Sequence, residues 1–381
     1  MKFSCDKSIL SEAVSKVGKI VPSKANIHAI EGIYLQLFDD GMLKLTGYDF
    51  TVGIETYIQT EYSETGSIIV NAKLFSDILN NIPSGTVTVS STDNATVKIS
   101  CENLDFTIVC MEGDLFPNVP LVEKDDQLII KQGDLCELIR KTSATIIQSD
   151  ITPILKGILV KVDSEGLVFV SSDTFRLSVC RHDGEFTNKK GNDINSVVPG
   201  RAFVELLKLF DSSKNEEDVT ICFSENHCSF ETSDFRMITS LIKGEFVNYK
   251  KITPVQYKNT VKVRVEDLAS AVSRASLLLS NEKLATPIRF GFEFDHVIIS
   301  LFKDNGHRYT DEIGIELNGE NFEIGFNNKH LLGILSCISE EYIYMKTNSP
   351  LSPACITSVE GDNYYYLISP MRITAKPGSA Q

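Results

Sequence analysis

Apolar residues recur along this chain at helical spacings, and the recurrence is threefold. The stretches 70–75, 198–203 and 326–331 lie 128 residues apart, and each ends a β-rich run and opens a segment with apolar positions three and four apart. That spacing is typical of an amphipathic helix. A second apolar stripe begins near residue 9 and recurs near residues 135 and 268. The pattern predicts six helices, at 6–19, 71–81, 133–147, 200–211, 265–280 and 327–339.

Strand-like runs separate these helices and turn at Asp- and Gly-containing pairs such as 39–41 and 163–166. The chain is therefore predicted to contain three copies of one α+β unit of about 125 residues, each ordered helix, strands, helix, strands. Polar stretches set the predicted boundaries, which give domain one at 1–125, domain two at 126–255 and domain three at 256–373. Residues 187–195 are predicted as a polar loop, and residues 374–381 as a disordered tail.

Charge restricts the kind of partner that the whole surface suits. The chain has 37 Lys and Arg against 51 Asp and Glu, a net charge of −14. This excess excludes an all-over cationic coat for nucleic acid, but not a local basic surface. The predicted helices hold ten cations and nine anions, a sum of +1, so the strands and loops together carry −15. If the helices share one side of the molecule, that side is relatively positive.

Local catalytic chemistry is missing from the sequence. There is no glycine-rich phosphate loop, no H-E-x-x-H and no G-x-S-x-G. The nine cysteines form no C-x-x-C, and the six histidines lie at no metal-ligand spacing. We therefore predict no catalytic residue, no metal and no cofactor. One alternative stays open, a metabolic enzyme of triplicated α+β domains with a site that has no recognised motif.

Targeting signals are also missing. No apolar run approaches the roughly 18 residues of a membrane-spanning helix, and the N-terminus has no apolar signal region. Together with the scattered, unpaired pattern of the cysteines, this predicts a cytoplasmic protein.

Three cations occupy equivalent places in the repeats, namely Lys73, Arg201 and Lys329. Each falls in the first turn of a predicted helix, where it faces the positive end of the helix dipole and costs roughly 0.3–1 kcal/mol. Helix stability therefore does not explain these residues. They are either solvated side chains lying along the surface or cations that face phosphates.

Several stretches resemble a known family. They are 172–177 (SDTFRL), 279–283 (LSNEK), 323–327 (EIGFN) and 369–373 (SPMRI), with the opening 1–3 and the turn 46–49. The chain resembles the bacterial beta sliding clamps, the beta subunit of DNA polymerase III, over residues 1–373 in order. The resemblance implies a non-catalytic processivity factor; DNA-directed DNA polymerase activity, a nucleotidyltransferase reaction, would belong to the holoenzyme.

The resemblance further implies a head-to-tail homodimeric ring. Three clamp domains per subunit would each place two helices on an inner face and antiparallel sheets on the outside. Double-stranded DNA would thread the hole and be held topologically, without sequence preference. The expected protein partners are the replicative DNA polymerase, an ATP-driven clamp loader and other proteins with short clamp-binding motifs. No membrane partner is expected.

Site residues follow from the resemblance position by position. The partner-peptide pocket would use Leu155, Ser172, Thr174, Phe175, Arg176, Leu177, Val247, Ile252, Leu351, Leu367, Ile368, Ser369, Pro370, Met371 and Arg372. The DNA-facing residues would be Lys24, Lys73, Gln148, Ser149, Arg201 and Lys329. The dimer interface would use Leu74, Phe106, Ile108, Leu278 and Leu279. Three pocket positions differ from the residues common in the family: Phe175, Val247 and Ser369.

Overall fold

A computed structural model describes residues 1–91, 95–124, 126–147, 152–279, 286–303 and 305–373. The α-helices within those ranges are α1 Lys7–Gly18, α2 Ala72–Asn81, α3 Gln132–Ser143, α4 Gly200–Leu209, α5 Tyr249–Ile252, α6 Val265–Ser276 and α7 Asn328–Leu335. The first half of the strands are β1 Lys2–Asp6, β2 Gly32–Leu37, β3 Met42–Tyr48, β4 Val52–Gln59, β5 Glu61–Glu64, β6 Gly66–Asn71, β7 Thr86–Ser91, β8 Thr96–Cys101, β9 Leu104–Glu112, β10 Asp126–Lys131, β11 Gly157–Asp163, β12 Gly166–Ser172 and β13 Arg176–His182. The second half are β14 Phe186–Asn188, β15 Ile194–Pro199, β16 Asp218–Phe223, β17 His227–Glu231, β18 Arg236–Ser240, β19 Asn259–Arg264, β20 Ile288–Phe292, β21 His296–Phe302, β22 Arg308–Asn318, β23 Phe322–Phe326, β24 Tyr342–Thr347, β25 Ala354–Ser358 and β26 Tyr364–Ile368.

The element order repeats three times, so the predicted triplicate α+β chain is confirmed. Each copy runs strand, helix, four or five strands, helix and three strands. All six predicted helices are present, and the short α5 is an addition. The predicted order was wrong at its start, because a strand (β1, β10 or β19) precedes the first helix of each copy. These strands are five or six residues long and run directly into a helix, which is too short for an alternating pattern to stand out.

Side chains at the helix ends explain where the helices begin and stop. The side chain of Asn71 accepts a hydrogen bond from the N–H of Leu74, and that of Asn327 accepts from the N–H of Lys329, so both asparagines cap their helices. α3 ends at Ser143, four residues before the predicted end. Beyond it, the hydroxyl of Thr145 bonds the side chain of Ser171 at 2.6 Å rather than continuing the helix.

The predicted loop at 187–195 is wrong at both ends. β14 covers its first two residues and β15 covers its last two. Ile129 of β10 pairs with Thr187, and Val162 of β11 pairs with Ile194. Strand pairing satisfies the backbone there, so polar side chains alone did not indicate a loop.

The described residues divide into two compact units. The first holds residues 1–133, 185–192 and 201–241, and the second holds residues 134–184, 193–200 and those from 242 onward. The middle copy is therefore split between them. The predicted disordered tail, residues 374–381, lies outside the described residues.

The first unit contains one 14-stranded sheet in the order β14-β10-β16-β17-β18-β4-β3-β2-β6-β9-β8-β7-β1-β5. Copy one joins the middle copy through the antiparallel pair β4 and β18. α1 packs beside α2 and buries the apolar stripe of Leu10, Val14 and Val17.

The second unit contains a 12-stranded sheet in the order β15-β11-β12-β13-β26-β25-β24-β19-β22-β21-β20-β23. Here the antiparallel pair β13 and β26 joins the middle copy to copy three. α6 packs beside α7, and the pattern of the first unit is repeated. In both units every strand pairing is antiparallel.

Candidate functional site

The predicted partner pocket is built on the β13–β26 pair. Leu177 lies opposite Leu367, and Arg176 lies opposite Ile368. Leu177 and Leu367 are buried in one apolar cluster with Tyr249 of α5, and Ile154 packs against that cluster. Leu155, the next residue, is also buried. Residues from distant parts of the sequence thus form a continuous apolar floor.

Four large apolar side chains of the predicted pocket are exposed. They are Phe175 at 59%, Leu351 at 76%, Ile252 and Val247. Single exposed apolar residues are ordinary, but several in one unit beside an apolar cluster are typical of a surface that binds a partner.

A tight turn before β13 orients the polar edge of the pocket. The carboxylate of Asp173 accepts hydrogen bonds from the backbone N–H of Phe175 and Arg176, and Thr174 adopts a positive φ of 74°. The hydroxyl of Ser172 donates to the carbonyl of Arg176 at 2.9 Å. These bonds hold Phe175 outward and Arg176 inward.

Arg176 connects the middle copy to copy three. Its Nε donates to Asp173 at 2.8 Å, and its Nη1 donates to the backbone carbonyl of His330 in α7 at 2.9 Å. The guanidinium is mostly buried and already bonds two acceptors within the protein, so it positions the site more than it offers donors to a ligand.

His330, which the sequence did not indicate, lies beside the predicted pocket. Its ring lies 5.5 Å from the ring of Phe175, centroid to centroid. Burial, followed by the nearby Arg176 charge, lowers the pKa of His330. Its place next to Lys329 in the first turn of α7 was visible in the sequence, but nothing there linked it to Phe175.

The segment after β26 closes the site. The N–H of Ser369 donates to the carbonyl of Phe175 at 2.8 Å, and Met371 donates to the carbonyl of Gly325 at 2.8 Å. A Cβ at Gly325 would lie 2.9 Å from the Met371 carbonyl oxygen, so glycine permits this approach. Ser369, Pro370 and Met371 are half-buried and Arg372 is exposed.

The three equivalent cations each occupy the second position of a helix: Lys73 in α2, Arg201 in α4 and Lys329 in α7. All three are exposed, as is Lys24 after α1. Arg201 differs from the other two, because its guanidinium lies 2.6 Å from the carboxylate of the nearly buried Asp49. Gln148 and Ser149 lie outside the described residues.

A groove of about 470 Å³ lies between α1 and α2 of the first unit, with Lys19 and Lys73 among its lining residues. Lys19 donates to the carbonyl of Lys208 at the end of α4. Burial lowers the pKa of Lys19. The groove also contains hydroxyls and two carboxylates, so its charge is mixed.

The predicted interface residues lie beside open strand edges. Residues 104–109 of β9 pair only with β8 among the described strands, and residues 308–314 of β22 pair only with β21. Leu74 and Phe106 are exposed, and Ile108 is half-buried. Leu278 and Leu279 are half-buried after α6, next to Leu277, which is 75% exposed.

Two other features are absent from the described residues. No helix in them is long and apolar enough to cross a membrane. No group of three or more His, Cys, Asp or Glu side chains in the same ranges is arranged to hold a metal ion.

Family models match the chain in three consecutive parts. The DNA polymerase III beta subunit N-terminal domain matches residues 1–120, the central domain matches 129–248, and the C-terminal domain matches 250–372. These matches follow the order of the three α+β copies.

Full-length relatives agree with the models. The chain is 26% identical to the beta sliding clamp of Halalkalibacterium halodurans, with 98% of this chain and 100% of the relative covered. The crystal structure of the Bacillus subtilis DNA polymerase sliding clamp is 26% identical with a TM-score of 0.93, at the same coverage. A DNA polymerase III beta subunit structure from Eubacterium rectale, described as putative, is 29% identical with a TM-score of 0.90, again covering 98% and 100%.

Fold, domain order and length therefore agree with one family, and the alternative of a triplicated metabolic enzyme is rejected. The chain belongs to the beta sliding clamp family of DNA polymerase III, whose members are non-catalytic processivity factors.

Proposed function

We propose that two copies of this chain join head to tail into a closed ring around duplex DNA and tether the replicative polymerase to it. The open edges of β9 and β22 carry this proposal. β4, β13 and β22 are the third strands after the first helix of their copies, and β18, β26 and β9 are the last strands of theirs.

Within the chain, the third strand of one copy pairs with the last strand of the next. β4 of copy one pairs with β18 of copy two, and β13 of copy two pairs with β26 of copy three. The same rule leaves β22 of copy three to pair with β9 of copy one in a second subunit. Both edges are open along six or seven residues, and unpaired strand edges are templates for such pairing.

Apolar residues beside these edges supply the remaining contact. Leu74 and Phe106 would lie on one side of the joint, with Ile108, and Leu278 and Leu279 on the other. Buried apolar contacts at the centre of an interface commonly carry most of its energy.

DNA would be held by enclosure, with weak phosphate attraction from the helices. Lys24, Lys73 and Lys329 are exposed cations suited to this role, and the pairing of Arg201 with Asp49 weakens its contribution. Each phosphate that a protein neutralises adds to affinity and to salt dependence. Few such contacts leave the duplex free to slide.

The pocket on β13 and β26 would receive short peptide motifs of the polymerase, the clamp loader and other DNA-processing proteins. Its apolar floor suits Leu or Phe anchors, and Met371 can repack for different guests. Phe175, which contacts His330, would form one wall in place of the usual family residue.

Domain boundaries at 125/126 and 255/256 and a cytoplasmic location complete the proposal. None of the nine cysteines, all of which lie in the described residues, forms a disulfide, and seven of them are buried. Burial raises the pKa of Cys180 and Cys5 to about 12, which keeps these thiols protonated and unreactive. Such cysteines suit a reducing compartment.

Retention on circular DNA tests the ring. The protein is loaded on nicked circular DNA by an ATP-driven clamp loader, isolated by gel filtration, and the DNA is then cut once. We expect retention on the circle and rapid loss from the linear form, because only a ring slides off an end. Equal retention on both forms contradicts enclosure and indicates ordinary binding.

A further inference from the structure

Two strand pairs inside the chain show residue by residue how neighbouring copies of the repeat are joined. Glu55 of β4 lies opposite Arg236 of β18, and Val179 of β13 lies opposite Tyr365 of β26. We call these strand pairs the internal joints. The edges β22 and β9 occupy the same places in their copies, so the equivalents of these four residues on β22 and β9 define a register between two subunits.

Strand pairing identifies the equivalent position on β22. Residues 69, 197 and 325 each lie three residues before the second helix of their copy. From each of them, three successive cross-strand pairs lead to the strand that would form the joint. The rows are Ile69, Tyr34, Thr46 and Glu55; Val197, Leu159, Val170 and Val179; and Gly325, Arg289, Ser300 and Thr310. Thr310 is therefore the equivalent of Glu55 and Val179.

The same procedure identifies the position on β9. Residues 4, 129 and 262 each lie three residues before the first helix of their copy. The rows that start from them are Ser4, Thr88, Ser100 and Asp105; Ile129, Thr220, Glu231 and Arg236; and Lys262, Tyr344, Thr357 and Tyr365. Asp105 is therefore the equivalent of Arg236 and Tyr365, and the internal joints predict that it lies opposite Thr310.

The adjacent pair in this register is Tyr309 opposite Phe106. Its equivalents in the internal joints are Ile54 opposite Met237 and Ser178 opposite Tyr366. All four of those side chains are at most 1% exposed. Phe106, by contrast, is 36% exposed and Tyr309 is half-buried. Two positions that are fully covered in both internal joints are thus partly open at the free edges.

The ring of Tyr309 is already fixed in the single chain. Its hydroxyl donates to the backbone carbonyl of Ala271 in α6 at 3.0 Å and lies 2.7 Å from a carboxylate oxygen of Asp311. Arg274, also in α6, donates to that carboxylate from its Nε at 3.0 Å. A side chain that is held in place before binding loses little conformational freedom when a partner packs on it.

We propose that β9 of a second copy pairs with β22 in the register that sets Asp105 opposite Thr310, and that Phe106 of the partner subunit packs on the ring of Tyr309. This inference rests on the proposed ring and specifies how its subunits meet. Tyr309 is not among the interface residues that the sequence predicts, and an aromatic pair adds to the contact beyond the area it buries. A slip of two residues would keep every side chain on its face, so it is the alternative to exclude.

Engineered cysteine pairs test the register. The two in-register variants are Asp105→Cys with Thr310→Cys, and Phe106→Cys with Tyr309→Cys. Narrow and wide spacings alternate along an antiparallel pair, so one of the two has the narrow spacing. The two slipped variants are Asp105→Cys with Arg308→Cys, and Asp105→Cys with Glu312→Cys. A slip of two residues moves one Cα by about 7 Å along the strand, which is beyond the reach of a disulfide.

Each variant is oxidised mildly and run on a non-reducing denaturing gel, and its reduced form is examined by sedimentation. We expect at least one in-register variant to give about tenfold more covalent dimer than either slipped variant. Asp105→Cys alone should give none, because a head-to-tail joint places unlike edges together and does not bring two copies of residue 105 into contact. This single variant also controls for the native cysteines.

The outcomes separate the register from the ring. A slipped variant that crosslinks as well as both in-register variants would overturn the register. So would the absence of covalent dimer from both in-register variants in protein that sediments as a dimer, in which case the ring would stand. Protein that never dimerises, including the wild type, would refute the ring and this inference with it.

The contact with Phe106 has its own test. Tyr309→Ala should raise the dimer dissociation constant about tenfold or more, as truncation of a central aromatic contact does. Tyr309→Phe keeps the ring and should raise it less. Tyr57→Ala, at a 49% exposed tyrosine on β4, is the control and should dimerise as the wild type does. If a Tyr309→Ala protein that is folded by circular dichroism dimerised as tightly as the wild type, Phe106 would not pack on Tyr309. If that variant does not fold, the cysteine pairs still decide.

Discussion

At the residue scale, one guanidinium holds the edge of the proposed partner pocket in place. Arg176 joins the Asp173 turn to the backbone of α7 and leaves Phe175 against the ring of His330. The charge of Arg176 is balanced within the protein, so peptide affinity should come from apolar burial. A fully buried Leu or Phe anchor is worth about 1.5–3 kcal/mol.

Replacing Met371 tests that apolar origin. Met371→Asp places an unpaired charge beside the floor, so micromolar binding of a peptide with Leu and Phe anchors should weaken at least tenfold. Dimer formation and DNA retention should be unchanged. Anisotropy titration beside sedimentation makes the measurement, with Met371→Leu as the matched control. If a folded Met371→Asp protein kept the wild-type peptide affinity, Met371 would not be part of the pocket.

His330 gives the site a pH dependence. Burial and the Arg176 charge, opposed by Asp173, lower the pKa of His330 from its ordinary 6.5, so the fold favours neutral imidazole. A lowered histidine pKa gives stability that is full above 6.5 and is lost as pH falls toward the folded-state pKa. The thermal midpoint should therefore drop more between pH 7.5 and 5.5 in the wild type than in His330→Phe. His307→Gln, an exposed turn position, is the control and should behave as wild type; identical drops in all three proteins would refute this role.

At the scale of elements, α2, α4 and α7 each carry a cation in the first turn, but the groups around that cation differ. Lys73 has no ion pair among the described residues, whereas Arg201 lies against Asp49. Equivalent positions in the repeat therefore need not contribute equally to phosphate attraction, since a carboxylate partner cancels part of the charge.

Single alanine variants distinguish the contribution of Lys73 to DNA binding from that of Arg201. Lys73→Ala should lower the salt slope of DNA binding by up to about 0.9, the value for one neutralised phosphate, and Arg201→Ala should lower it less. Neither variant should change sequence preference. Binding of several duplexes at a series of salt concentrations measures both effects. A larger loss for Arg201→Ala, or a loss confined to one duplex sequence, would contradict this account.

The proposed interface between two subunits also depends on whole elements, the strands β9 and β22. Leu278→Ala with Leu279→Ala removes apolar area beside the β22 edge and should cost about 2 kcal/mol or more if these are central contacts. Sedimentation at low concentration should then show monomer. Val255→Ala, at a 95% exposed position that belongs to neither β9 nor β22, should remain dimeric. A double variant that is still fully dimeric would place the interface elsewhere.

At the scale of the whole molecule, local repeats were predictable and long-range pairings were not. Helices such as α2 and α4 follow from apolar spacing, and the caps at Asn71 and Asn327 follow from residue type. The contact between Phe175, in the turn before β13, and His330 of α7 joins parts of the chain that meet only after folding. No spacing rule connects such distant positions, so these parts of the candidate sites needed coordinates.

The net charge of the whole molecule does not by itself decide how the protein meets DNA. A net charge of −14 repels DNA on average, yet the equivalent helix positions keep exposed cations. Screening beyond about 8–10 Å at physiological salt makes the local arrangement matter more than the total. An acidic exterior then favours solubility without preventing weak attraction at the helices.

The open edges of β9 and β22 are unlike each other, which gives the proposed joint a direction. An interface between unlike surfaces closes only if its rotation returns to the start, and otherwise it grows into a filament. A subunit with one edge blocked would cap such growth, and it would still offer the opposite edge to a normal copy. Mixed with wild type, it would form pairs held at one joint and open at the other. Such pairs would still display partner pockets but would not stay on circular DNA, so a minority of blocked subunits would act as a dominant inhibitor of tethering.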